Sequence, residues 1–98
     1  MPDFAALTAA DFDAVLGTSF EIVDIEADPV AIRLAEVTVL GERPGYRQPF
    51  SLRFRGPLSP TLAQVTHRVA HAEMGRFDLF LGPVAADSDG ITYEAVFA

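Results

Sequence analysis

Residues Leu62–Gly75 read LAQVTHRVAHAEMG, and the conformation of this stretch decides the fold. Read as a helix, it lines up Leu62, Val65, Val69 and Ala72 on one face. Read as a strand, it lines up Val65, His67, Val69 and His71. Both periods fit, so the stretch on its own leaves both readings open. With a strand here the chain carries six strands; with a helix it carries five.

The flanking segments are clearer. On the C-terminal side, RFDLFLGPV (Arg76–Val84) places Phe77, Leu79 and Leu81 on one face and Phe80 and Val84 on the other. This is expected to be a strand covered at least partly on both sides. AADSDG then reads as a turn, with Asp89-Gly90 as its hairpin signal. The final run, ITYEAVFA, points Ile91, Tyr93, Ala95 and Phe97 inward. On the N-terminal side, PFSLRFRGP (Pro49–Pro57) alternates Phe50, Leu52 and Phe54 with Ser51, Arg53 and Arg55, and proline bounds it at both ends. Ser51 is therefore expected to point away from the core. The loop ERPGYRQ precedes it, with Pro44-Gly45 as the turn signal.

Further back, VAIRLAEVTVLG sets Ile32 and Leu34 on one parity and Val37 and Val39 on the other. A phase switch near Ala35–Glu36 predicts a bulge, or a strand apolar on both sides. TSFEIVDI puts Phe20 and Ile22 on one face. Asp24, Glu26 and Asp28 follow, alternating towards solvent near a turn. The start of the chain carries a helix signal. Thr8 caps, Asp11 completes a capping box, and Leu7 and Phe12 are spaced as a hydrophobic staple. Phe12, Val15 and Leu16 form a short apolar stripe that Gly17 ends. A helix of about nine residues is marginal alone, so it must dock.

The spacing is too tight for parallel crossovers, which need a dozen or more residues each. The expected fold is mainly β: a small antiparallel six-stranded barrel, or barrel-like sandwich, with one short N-terminal helix. The helix is expected over about 8–16, and strands over about 18–25, 30–41, 49–56, 64–72, 75–85 and 90–97. One domain holds all 98 residues. A chain of this length buries roughly two-thirds of its unfolded surface, enough for one modest core.

Three segments together resemble a family of small bacterial proteins, domain of unknown function 6916. They are PFSLRFRGP, HRVAHAEMGRFDLFLGPV (His67–Val84) and GITYEAVFA (Gly90–Ala98). The shared patterns are F-S-L-x-F-x-G-P, H-x-x-x-G-x-x-x-L-F-L-x-P-V and a Y-E-A-x-F ending, with F-x-x-x-L-G-x-x-F at Phe12–Phe20. The resemblance implies no activity and no catalytic residue. It implies a neighbourhood of phage-tail-like components, hence an assembly role. It also favours the strand reading of Leu62–Gly75, although relatives tend to carry an aromatic residue where His67 stands.

Composition excludes several kinds of chemistry. There is no cysteine, hence no disulfide and no thiolate site. All seven basic residues are arginine, against fourteen acids, for a net charge of -7. Such a surface repels phosphate backbones, and no nucleic-acid partner is expected. No apolar run approaches the ~18 residues of a membrane helix. The opening MPDFAALTAADFDAVLG lacks a basic region, so the expectation is a cytoplasmic protein without a signal peptide.

The candidate sites all have plain structural readings. His67 and His71 are four apart, a metal spacing on a helix, but on a strand they lie about 13 Å apart at roughly 3.3 Å per residue. There, His71 is expected at a strand end, bonding the turn backbone around Glu73–Gly75. DSDG lacks the remaining ligand positions of a calcium loop and reads as a hairpin. No serine has a nucleophile context, and without lysine no phosphate loop of the P-loop type is possible. No cofactor is expected and the chain is not read as an enzyme.

The arginines are left. Arg53 and Arg55 share an outer strand face, and pairing with Glu36 and Glu94 is expected. A partner interface and a small-anion site are the alternatives. Apolar residues on both parities of two strands exceed what one small interior can take, so a protein partner or homo-oligomer is expected. The loop Glu42–Gln48, with Arg43, Tyr46 and Arg47, is the expected contact, together with Arg53 and Arg55. The alternative function is a small-ligand-binding barrel, but large inward phenylalanines are expected to fill it.

Overall fold

The computed structural model describes residues 7–23, 29–41 and 49–97. Leu62–Gly75 is resolved in favour of a strand. The elements are α1 (Ala9–Asp13), β1 (Ser19–Ile22), β2 (Val30–Val39), β3 (Phe50–Gly56), β4 (Val65–His71), β5 (Gly75–Asp87) and β6 (Gly90–Phe97). The six strands form a closed antiparallel barrel in the ring order β1-β2-β3-β6-β5-β4. Two residue pairs, Glu21 with Ala70 and Ile22 with Val69, close the ring between β1 and β4.

Alternation within each strand follows the inner and outer faces. Along β4, His67, Val69 and His71 are buried and Thr66 and Arg68 are exposed. A helix could not meet β1 and β5 simultaneously with backbone hydrogen bonds; a strand does, pairing with both. Val65, expected on the inner face, is 44% exposed at the strand's start.

The expected phase switch is a register shift between Leu34 and Glu36, where β2 crosses β3. Before it, Val30, Ile32 and Leu34 face inward. After it Val37 turns to the core, partly buried, while Val39 at the end of the strand is exposed. A second shift lies between Pro83 and Ala85 of β5 and leaves Val84 exposed.

The helix is shorter than its signal, five residues; Phe12 within it and Val15 just beyond it are buried in the core. Leu16, expected on the apolar stripe, is exposed instead. The capping box is present: the Thr8 hydroxyl accepts from the Asp11 N–H, and the Asp11 carboxylate accepts from the Thr8 N–H. Phe12 reaches into the barrel among Phe20, Phe50, Phe77 and Phe97, with ring centroids 5.4–6.4 Å away. Phe50 and Phe97, opposite each other on β3 and β6, stack at 4.6 Å. The connection from β3 to β4 carries the chain past β6. It sends Leu62 into the core and donates the Leu62 N–H to the buried Tyr93 hydroxyl at 2.9 Å. The interior is thus occupied by large side chains from every strand, by the helix and by this connection.

The β5–β6 hairpin corrects one detail of the turn. Asp87 pairs with Gly90, so Ser88 and Asp89 are the two loop residues. Among the described residues only glycines have positive φ, so this is not a primed turn with glycine in its centre. Asp87 at the first position and Gly90 at the fourth fit an unprimed turn. Gly90 is required for space: a Cβ there would lie 2.4 Å from the Gly56 carbonyl oxygen.

Candidate functional site: an arginine face and the cleft beside it

β3 runs between β2 and β6, so its outward side chains meet outward side chains from both neighbours. Arg53 lies opposite Glu94 on one side and Glu36 on the other. Its Nε donates to Glu94 Oε2 at 3.2 Å. The Glu36 carboxylate, the other expected partner, instead accepts from the Thr38 hydroxyl at 3.0 Å. Arg55 reaches across β6. Its Nη1 donates to Thr92 Oγ1 and its Nη2 to Asp87 Oδ1, each at 2.8 Å. Asp87 was not among the expected partners.

The same Asp87 oxygen accepts the N–H groups of Asp89 and Gly90 at 2.9 and 3.1 Å. The carboxylate therefore ties the end of β3 to the β5–β6 turn. The Arg55 hydrogen bond, reinforced by the Asp89 N–H, holds the Asp87 carboxyl below its usual 3.8. Solvent screens such exposed pairs, and they contribute too little to explain the fold. Arg53 and Arg55 thus have partners within the chain. Arg43, Tyr46 and Arg47, the expected contact loop, lie outside the described residues, as do Asp24, Glu26 and Asp28.

Ser51 departs from expectation. Its parity is outward, yet it is 7% exposed. It stands between Thr38 on β2 and Val96 on β6, and its short side chain sits below its two neighbours.

Beside the arginine face the surface opens into a cleft of about 460 Å³. Ser19 and Arg33, opposite each other on β1 and β2, line it with Arg55, Gly56 and Pro57 at the end of β3 and Asp89 from the hairpin turn. Arg33 and Arg55 are direct cross-strand neighbours. Arg33 is the residue the sequence reading missed. Its alternation with Ile32 and Leu34 showed that it points outward, but not which strand lies beside it.

A family model matches residues 7–97. The chain belongs to that family, Domain of unknown function (DUF6916). No curated protein and no solved structure matches it.

The two histidines of this DUF6916 chain have separate tasks. His67 is buried, and its Nε2 donates to the Ala63 carbonyl at 2.8 Å. His71 ends β4, and its Nδ1 accepts the N–H groups of Glu73 and Met74 at 3.0 and 3.2 Å. Because Nδ1 accepts, the proton is on Nε2, which donates to Thr18 Oγ1 at 2.8 Å. The Thr18 hydroxyl then donates to the Val15 carbonyl at 2.6 Å. A relay of hydrogen bonds so links the β4–β5 turn to the end of α1, with the Phe20 ring 4.3 Å from the imidazole. Among the described residues no group of three His, Asp or Glu side chains is placed to hold a metal ion. Nor is any helix among them long and apolar enough to cross a membrane.

Proposed function

We propose that this DUF6916 domain is a non-enzymatic protein-contact module that works in the cytoplasm. The observation that carries this is the contrast between the barrel's two surfaces. Its inner positions are occupied by aromatic and branched side chains. On the outside, Phe80 and Val84 of β5 and Val96 of the neighbouring β6 are each more than half exposed, at 54, 52 and 56%. A filled interior argues against a ligand held inside, and apolar side chains exposed on the outer faces of adjacent strands are what a partner would cover. The surrounding ion pairs, Arg53 with Glu94 and Arg68 with Asp78, form the polar rim that such contacts have. The narrower form of the reading, an assembly partner beside phage-tail-like components, rests on the family resemblance.

The test is light scattering on the purified chain, alone and with its host's lysate fractionated over an immobilised copy. Self-association that Phe80→Glu with Val96→Glu abolishes supports the homo-oligomer form. A strict monomer at high concentration sinks that form and leaves a different protein as the partner. A pull-down returning only metabolic enzymes, with binding unchanged in the double variant, would sink the contact-module reading itself.

A further inference from the structure

The geometry points to the cleft between β2 and β3 as a binding site for the carboxylate of a small organic acid, gripped by Arg33. Two arginines directly opposite on a sheet repel, and the pair is unfavourable for the fold unless each charge is met. Arg55 is met by Asp87 and Thr92. Arg33 and the exposed Arg76 make no ion pair or hydrogen bond among the described residues, whereas Arg53, Arg55 and Arg68 each hold an acid; of the two, Arg33 is the one that lines the cleft and faces a second arginine. An exposed guanidinium left open beside a second one, at the wall of a concave space, offers a forked donor to a planar oxyanion.

The rest of the lining narrows the ligand. The cleft, about 460 Å³, is wide open to solvent, so it can cover one end of a small ligand and leave the rest exposed. Ser19 brings a hydroxyl to the same space, and Ala31 and Pro57 bring apolar wall. Charge favours a monoanion. Asp87 cancels Arg55, and Asp89 stands at the cleft opposite in sign to Arg33. A carboxylate can lie on Arg33 away from Asp89, whereas a phosphate dianion carries more charge into its repulsion. A short aliphatic tail would cover the apolar wall. This site shares no residue with the β5–β6 face, so it stands or falls independently of the contact-module reading.

The experiment is an NMR titration of the full chain at constant ionic strength, following the Arg Nε–H signals and the amides of Ser19, Gly56 and Asp89. Hexanoate is expected to give saturable shifts at these positions with millimolar affinity, several-fold tighter than acetate. Arg33→Gln, an exposed change that leaves the rest of the spectrum in place, is expected to abolish them. Equal shifts with chloride, or shifts that persist in Arg33→Gln, would overturn the site. Tighter saturation by inorganic phosphate would overturn the carboxylate assignment. Trialanine carries its carboxylate at a chain end; if it binds more tightly than hexanoate, the small-molecule source is wrong.

Discussion

Asp87 does more than one job with a single oxygen. It accepts from Arg55 and from two backbone N–H groups of its own turn, and all three donors favour the ionised form. Its folded-state pKa is therefore depressed below 3.8. A depressed acid stabilises the fold above its unfolded value and loses that contribution as pH falls through the folded one. Asp87→Asn keeps an oxygen for the turn N–H groups but removes the charge. The variant should unfold at lower urea than the parent at neutral pH, and the gap should close as the pH is taken well below 3.8. A gap of constant size across that range would show that the carboxylate's charge contributes nothing. Neighbouring residues show the same economy. Tyr93 spends its hydroxyl on the N–H of Leu62, and His71 spends both ring nitrogens, so the buried polar side-chain atoms described here all have partners.

At the scale of elements, α1 is the most dependent part. Five residues cannot hold a helix in water, so its capping box only sets where the helix starts. Phe12 makes it dock. The ring is fully buried at the meeting point of four other phenylalanines, and Phe→Ala at such a site costs about 3–5 kcal/mol. Urea unfolding of Phe12→Ala should show a loss of that order, and Phe12→Leu a smaller one. A loss under about 1 kcal/mol would mean the helix rests on the barrel without closing it. Much of this was legible in the sequence because it is local. The capping box, the parity switch at Leu34–Glu36 and the inward phenylalanines are all written in spacings of two to four residues. The β4 strand was not, since its pairing with β1 and β5 decides between two periods that the stretch itself satisfies. Nor was the ladder of side chains along β3, since Arg33 faces Arg55 before the bulge and Glu36 faces Arg53 after it. Without that slip Ala35 would face Arg53; with it Glu36 does, while Arg33 and Arg55 remain opposed below it. A one-residue irregularity between strands far apart in sequence has no signature in either strand alone.

At the scale of the whole molecule, charge sets the balance. The chain carries -7, and the ion pairs between described residues are exposed: Arg53 with Glu94, Arg55 with Asp87 and Arg68 with Asp78. Salt weakens two opposed effects. It screens these weak attractions, and it screens the mutual repulsion of the excess acids and of Arg33 with Arg55. Acids outnumber bases two to one, so each added ion relieves more repulsion than it costs attraction. The closed barrel also leaves its stability to apolar burial, which added salt does not weaken. Raising sodium chloride from a low-salt buffer to about 1 M, where the Debye length is about 3 Å, should therefore raise the melting temperature. In a domain of this size a gain of about 1 kcal/mol appears as about 4–8 °C. A fall in melting temperature over the same range would show that attraction within the ion pairs outweighs the repulsion among the excess acids. The arginine face of β3 would then be a structural clasp onto β6 and the end of β5.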